Sequence, residues 1–130
     1  YASSFAYKKN GISQSVSSMT TNLINLGGFS YIAIAGNSTA PSQGLNLWID
    51  PAATTGNYPF EFVGGDFVMQ YSNLTLPGAY TTSGGGNLGI TKHDKTAKII
   101  EGTFSGTVYD DPITPTDSIV ITAGSFKAKY

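Results

Sequence analysis

Apolar and polar residues alternate along much of this chain with the two-residue period of β-strands. In Leu45–Asp50 the odd-numbered residues are aliphatic, and the even-numbered residues are Asn, Trp and Asp. Between Ile100 and Val108 the even-numbered residues are Ile, Gly, Phe, Gly and Val, and the odd-numbered residues are Glu, Thr, Ser and Thr. No long window repeats apolar residues at the spacing of an amphipathic helix. The pattern predicts an all-β chain with one face of each strand buried.

Turn residues separate the strand-like runs. Asn10-Gly11 indicates a tight hairpin, because both central residues of a type I′ turn need a positive φ. Ser13–Leu26 is interpreted as an extended edge segment, with a short helix over Ser18–Leu26 as the less favoured alternative. About nine short strands at fairly even spacing predict one domain over residues 1–130. The expected fold is an antiparallel β-sandwich, and a β-barrel is the alternative.

Two features of the C-terminal strands predict how the core packs. Phe104 lies on the apolar face between Gly102 and Gly106, which leave room for a large neighbour. Further along, the apolar residues change from odd to even numbers near Ala123-Gly124. One extra residue in a strand causes such a switch, so we expect a β-bulge there. Phe104 is therefore predicted to be a core residue.

Composition excludes several classes of protein. Charged residues make up 12% of the chain, the net charge is -1, and arginine is absent. That balance provides no basic surface for nucleic acid, so no nucleic-acid partner is expected. Cysteine is absent, which excludes disulfides and thiolate metal sites. No run approaches the ~20 apolar residues of a transmembrane helix, so no transmembrane segment is expected.

Catalytic signals are weak. His93 is the single histidine and lies in the polar segment Lys92–Lys95, where we expect it to be solvated. No Gly-x-Ser-x-Gly sequence accompanies it. The sequence therefore predicts a protein that is not an enzyme, with no catalytic residue and no cofactor.

Three carboxylates surround one predicted loop. Asp110, Asp111 and Asp117 are candidate ligands for a hard cation such as Ca²⁺, which prefers several oxygen ligands. The spacing of an EF-hand loop is absent. The alternative is a solvated loop in which the aspartates bind local backbone amides.

A second candidate site is aromatic. Trp48 falls on the polar face of its strand next to Asp50, and Tyr71 occurs on a later strand. Aromatic rings stack on sugar rings, and carboxylates bind hydroxyl groups. We therefore interpret Trp48, Asp50 and Tyr71 as candidate ligand-binding residues for a glycan. The favoured alternative is that Trp48 belongs to a second core face.

Several short strings point to a family. They are Ile90-Thr-x-x-Asp94, Glu101-Gly-Thr-Phe-Ser-Gly106 and Ile121-Thr-Ala-Gly-Ser-Phe126, together with an early Phe5-x-x-x-x-Asn10-Gly11. The chain resembles a family of small exported lipoproteins of Bacteroidetes-type bacteria at its beginning and in its C-terminal third. The resemblance implies a β-sandwich-like fold, export, and a lipid anchor on a cysteine upstream of Tyr1. It brings no known catalytic residues.

These observations predict a non-enzymatic exported domain with a binding or structural role. Its expected location is the cell surface, the outer membrane or the extracellular space, and a trimmed cytosolic protein is the alternative. A fibre subunit is another candidate, in which a segment within Tyr1–Leu26 self-associates with the sheet edge of a neighbour. A carbohydrate-binding module built around Trp48 is the third.

Overall fold

The chain folds as one continuous antiparallel sheet that curls into a half-barrel. The computed structural model describes residues 1–130, apart from the side chain of Leu26. The eleven strands are β1 (Ser4–Lys9), β2 (Ile12–Ser13), β3 (Ser18–Leu26), β4 (Phe29–Thr39), β5 (Ser42–Ile49), β6 (Gly56–Tyr58), β7 (Phe67–Asn73), β8 (Tyr80–Thr81), β9 (Asn87–Asp94), β10 (Ile99–Tyr109) and β11 (Ser118–Lys129).

The strand order places the ends of the chain side by side. Along the sheet the order is β2-β1-β11-β10-β8-β7-β5-β4-β3, and β9 pairs with both β10 and β6. The prediction of an all-β antiparallel fold is confirmed. The structure has eleven strands where about nine are expected, and β2 and β8 contain only two residues each.

The segment for which a short helix was the alternative is a strand in the structure. Ser18–Leu26 pairs along its whole length with β4 and forms one edge of the sheet. The helix alternative is therefore wrong, and the edge interpretation is confirmed. In the described chain, no helix has the length and apolar character needed to span a membrane.

The inner faces of the strands form one core. Leu45, Leu47 and Ile49 of β5 are fully buried, as their alternation predicts. Burying a side chain of this size contributes roughly 1.5–3 kcal/mol to stability. On β10 the even-numbered residues Ile100 and Phe104 are buried in the same cluster. The prediction that Phe104 is a core residue is confirmed.

The predicted turn and the predicted bulge are both present. Asn10 and Gly11 have φ values of 50° and 81°, and they connect the paired residues Lys9 and Ile12. These angles fit the tight hairpin that Asn-Gly predicts. The register of β10 against β11 shifts opposite Ala123, which has a φ of 49°. The shift accounts for the change of face in β11.

Strand β1 reaches across the open side of the half-barrel. It pairs with β11, and its side chains Phe5 and Tyr7 are buried. The Phe5 ring lies 5.3 Å from the Phe104 ring, measured between centroids. It also covers Gly36 of β4, where an added Cβ would overlap the ring. Phe5 therefore joins the two ends of the sheet.

Residues 14–17, which connect β2 to β3, also cross the open side of the half-barrel. The amide of Gln14 donates to the carbonyl of Tyr7 at 3.1 Å, and the amide of Ser17 donates to the carbonyl of Asn37 at 2.8 Å. Residues 14–17 thus pass from β1 to β4 and lead the chain into β3. The interior is covered on this side by β1 and by this connection.

We predict that Phe104→Ala destabilises the fold by about 3–5 kcal/mol, because the ring is buried and a cavity replaces it. The free energy of unfolding in urea measures this change. Phe29→Ala is the matched control, since Phe29 is 61% exposed, and it should cost less than about 1 kcal/mol. Equal losses for the two variants would mean that Phe104 does not pack as described.

Candidate functional site

A hollow of about 410 Å³ opens where β1, the β4–β5 turn and the end of β7 meet. We call it the Lys9 hollow. Its volume lies within the usual range of small-molecule sites. Lys9 comes from the end of β1, and the other lining side chains come from the turn, from β5, from the last residue of β7 and from the segment after it. These other residues are Pro41, Ser42, Gln43, Asn73, Leu74 and Thr75.

Tyr71 lies beneath this hollow and connects its polar side chains. Its ring is fully buried, and its hydroxyl donates to Gln43 Oε1 at 2.6 Å. The Tyr71 hydroxyl oxygen also accepts hydrogen bonds from Lys9 Nζ and Asn73 Nδ2, each at 3.1 Å. The Lys9 ammonium also lies 5.1 Å from the centroid of the Tyr71 ring. One buried phenol thus fixes three side chains of the hollow.

The two amide side chains are held by further bonds. Gln43 Nε2 donates to Gln14 Oε1 at 3.1 Å, which ties the hollow to the connection after β2. Asn73 Oδ1 accepts from the Thr75 amide at 2.9 Å and from the Leu76 amide at 3.1 Å. A side chain held in place loses less conformational entropy when a ligand binds. The hollow is therefore largely preformed.

Tyr7 adds an unpaired polar group to the same interior. Its hydroxyl is buried and has no hydrogen-bond partner among the described atoms. Burial, and to a lesser degree the neighbouring Tyr71 hydroxyl, raises the pKa of Tyr7. An unpaired buried hydroxyl costs roughly 1–3 kcal/mol. Stability alone gives no reason for a tyrosine here instead of a phenylalanine.

The predicted glycan-binding residues do not converge on one site. Trp48 is half-buried on the outer face, 6.0 Å from the ring of Tyr31 and paired with the buried Val68. Tyr71 points into the core from the opposite face of the sheet. These positions favour the alternative that Trp48 belongs to a small second core face.

Asp50 lies near Trp48 but is engaged in a turn. Its Oδ1 accepts a hydrogen bond from the Ala52 amide at 2.9 Å. It also lines a shallow hollow of about 370 Å³ together with Phe29 and Tyr31. Trp48 and Asp50 remain candidates for an outer glycan surface, and Tyr71 belongs to the Lys9 hollow instead.

The three aspartates of the β10–β11 loop bind the loop itself. Asp110 accepts from the Thr116 hydroxyl and from the amides of Thr116 and Asp117, at 2.9 and 3.0 Å for the amides. Asp111 accepts from the amides of Ile113 and Thr114. These bonds hold the pKa values of both carboxyls below their usual range, the Thr116 hydroxyl contributing most at Asp110 and the Ile113 amide most at Asp111.

The third carboxylate points elsewhere. Asp117 Oδ2 accepts from the Tyr80 hydroxyl at 2.6 Å, which raises the pKa of Tyr80 to about 12. Among the described residues, no group of three His, Cys, Asp or Glu side chains is placed to hold a metal ion. The geometry of Asp110, Asp111 and Asp117 therefore favours loop capping, the alternative to a metal site.

His93 is not a solvated turn residue, and that expectation is wrong. It lies on β9 and is half-buried. Its Nδ1 is 2.6 Å from the carbonyl oxygen of Ala53, and its Nε2 is 2.7 Å from the hydroxyl of Tyr130. Both contacts are to residues far away in the sequence, so the local charge pattern could not reveal them.

Comparisons with protein-family models, with curated proteins and with solved structures give no match. The function has to be inferred from the chain's own residues. Sequence reasoning missed Lys9, Gln43 and Asn73 as site residues. One signal for Lys9 was available, because it shares the odd-numbered face of β1 with Phe5 and Tyr7 and therefore points inward.

We predict that Asp110→Asn lowers stability at neutral pH and that the loss narrows in acid. The folded-state pKa is depressed, so the stabilisation is complete above the unfolded pKa of about 4. This stabilisation shrinks as the pH falls below that value, and it is lost as the pH falls through the depressed pKa of the folded state. The measurement is the difference between the unfolding midpoints of wild type and Asp110→Asn at a series of pH values from 7 to 2.

The matched control is Asp66→Asn, at an exposed residue outside this loop, which should change stability by no more than about 0.5 kcal/mol at neutral pH. A gap between wild type and Asp110→Asn that stays constant down to pH 2 would contradict the capping role of Asp110.

Proposed function

We propose that this chain is a non-enzymatic domain of the cell surface or cell envelope that binds a small ligand in the Lys9 hollow. The observation that supports the proposal is the ammonium group of Lys9, which is partly buried at the hollow and contacts neutral groups of Tyr71. A partly desolvated cation with spare donor capacity is a typical feature of a binding site. The unpaired Tyr7 hydroxyl in the same interior adds to this support.

The contacts of the titratable groups support binding without catalysis. His93 bonds to a backbone carbonyl and to Tyr130, so its ring is not activating a serine or threonine nucleophile. Asp110 and Asp111 are occupied by loop amides. The polar side chains that line the Lys9 hollow are an ammonium, two amides and two hydroxyls, which can hold a ligand but do not include a nucleophile paired with a base.

Composition and the family resemblance support the export part of the proposal. Only 12% of the residues are charged, and Ser, Thr, Asn and Gly supply much of the polar character. Uncharged polar surfaces of this kind are common among secreted β proteins.

The localisation is tested by protease treatment of intact cells that produce the full-length protein. We expect the domain to be digested while a cytosolic marker stays intact. A domain that becomes digestible only after lysis, and that fractionates with the cytosol, would remove the export part of the proposal.

The binding role is tested by recording amide spectra of ¹⁵N-labelled protein with a panel of neutral sugars, polyols, amino acids and organic acids. We expect at least one compound to shift the amides around Lys9, Gln43 and Asn73. A panel without any shift at millimolar concentration, or with shifts only near Trp48, would contradict binding in the Lys9 hollow.

A fibre subunit is the second candidate, and the geometry of β1 favours it. This strand pairs with β11 along most of its length, whereas only Lys8 and Lys9 pair with β2. It contributes Phe5 and Tyr7 to the core. A strand with this position can be supplied by a neighbouring copy, since main-chain bonds give affinity and inward side chains give register.

Deleting residues 1–11 separates the two candidates. A fibre subunit lacking them should stay folded, stop forming filaments in electron micrographs, and bind an added peptide of residues 1–11. A peptide with Phe5 and Tyr7 both changed to Ala is the control and should not bind. A full-length protein that stays monomeric in light scattering, and a deletion variant that unfolds, would exclude the fibre.

A further inference from the structure

We infer that the ligand of the Lys9 hollow is a small organic carboxylate with an apolar carbon skeleton. This inference rests on the binding role proposed above and adds the chemical class of the ligand. It depends on three properties of the hollow, namely its charge, its hydrogen-bonding groups and its apolar wall.

The charge of the hollow favours an anion. The Lys9 ammonium has three hydrogens, and its described hydrogen bond uses one of them on Tyr71. The Tyr71 ring face adds only a weak attraction, 5.1 Å away. A carboxylate entering the hollow would form a charge-assisted hydrogen bond, which is about twice as strong as a neutral one.

The remaining polar groups favour an acceptor ligand. The side-chain amide nitrogens of Gln43 and Asn73 each use one hydrogen in a described bond, to Gln14 and Tyr71 respectively. Each nitrogen carries two hydrogens, so a second donor remains. Together with Lys9 they supply donors for the two oxygens of one carboxylate. An amine ligand would meet a cation and no carboxylate in the lining of the hollow.

The wall favours a carbon skeleton over a phosphate or a sugar acid. Pro41 and Leu74 form part of the lining, and Leu74 is 85% exposed. Apolar contact with a ligand removes that surface from water. A phosphate prefers arginine forks or several backbone amides, whereas this hollow offers a single lysine.

The test is titration of ¹⁵N-labelled full chain with sodium hexanoate at pH 7 and constant ionic strength. Hexanamide, glucuronate and inorganic phosphate are titrated in parallel. We expect hexanoate to shift the amides around Lys9, Gln43 and Asn73. Hexanamide should bind at least about 10-fold more weakly, because it loses the charge-assisted bond. Glucuronate and phosphate should also bind more weakly than hexanoate.

Two variants check the contacts. Lys9→Met keeps the aliphatic stem and should weaken hexanoate binding by about 10- to 100-fold. Lys8→Met is its matched control, since Lys8 is the exposed neighbour on the opposite face of β1, and should leave binding unchanged. If Lys9→Met fails to fold, Leu74→Glu replaces it. Leu74 is exposed, so the variant should fold; both compounds lose an apolar contact, but only hexanoate meets the new like charge, and its affinity should fall several-fold more than that of hexanamide.

The outcomes separate this inference from the proposed function. Equal affinity for hexanoate and hexanamide, or unchanged binding by folded Lys9→Met, would overturn the carboxylate inference and leave a binding domain. Glucuronate binding as tightly as hexanoate would overturn the inference that the ligand has an apolar carbon skeleton. If none of these compounds binds while neutral compounds shift the same amides, only the inference fails. If nothing at all binds in the hollow, both fail.

Discussion

The fold depends on the packing of Phe5 against Gly36. The sheet does not close by hydrogen bonds between β1 and the β3 edge, so side chains must cover the interior on this side. The Phe5 ring occupies the space that a Cβ at Gly36 would need, and it packs against the Phe104 ring in the core. The Phe104 ring in turn occupies the space that a Cβ at Gly124 would need. Two glycines and two aromatic rings therefore hold the two ends of the sheet together.

The same strand links the core to the candidate site. Phe5 and Tyr7 anchor β1 in the interior, and Lys9 follows on the same face, opposite the buried Ile121 of β11. A slip of one residue would turn all three side chains outward. The pairing register with β11 shifts between Ala6 and Lys8, but β1 keeps its own alternation, so the face that buries Phe5 also brings the Lys9 ammonium to Tyr71. Stability and the proposed binding role share one structural cause.

Features with a local cause could be predicted from the sequence. The Asn10-Gly11 turn, the alternation in β5 and β10, and the bulge at Ala123 all follow from backbone preferences of neighbouring residues. The candidate site could not be predicted as a whole. Lys9 and Tyr71 are 62 residues apart, and their contact depends on how the sheet curls.

The separation of Tyr71 from the other predicted glycan-binding residues has the same origin. Trp48 and Tyr71 each lie on a strand with a clear pattern, but the pairing of β5 with β7 decides which faces they share. Leu45 is opposite Tyr71, and Trp48 is opposite Val68, so the two aromatic rings point away from each other. Sequence alone does not give the pairing of separate strands. A site formed by side chains from several strands therefore cannot be predicted from it.

Nuclear Overhauser effects between the Phe5 ring protons and the α protons of Gly36 test the central claim most directly. The sample is an equal mixture of isotope-labelled and unlabelled chains, refolded together, so that contacts within and between chains are separated. The account predicts a strong effect within one chain and none between chains. An effect seen only between chains, or the absence of any effect, would contradict the packing of β1 in its own half-barrel.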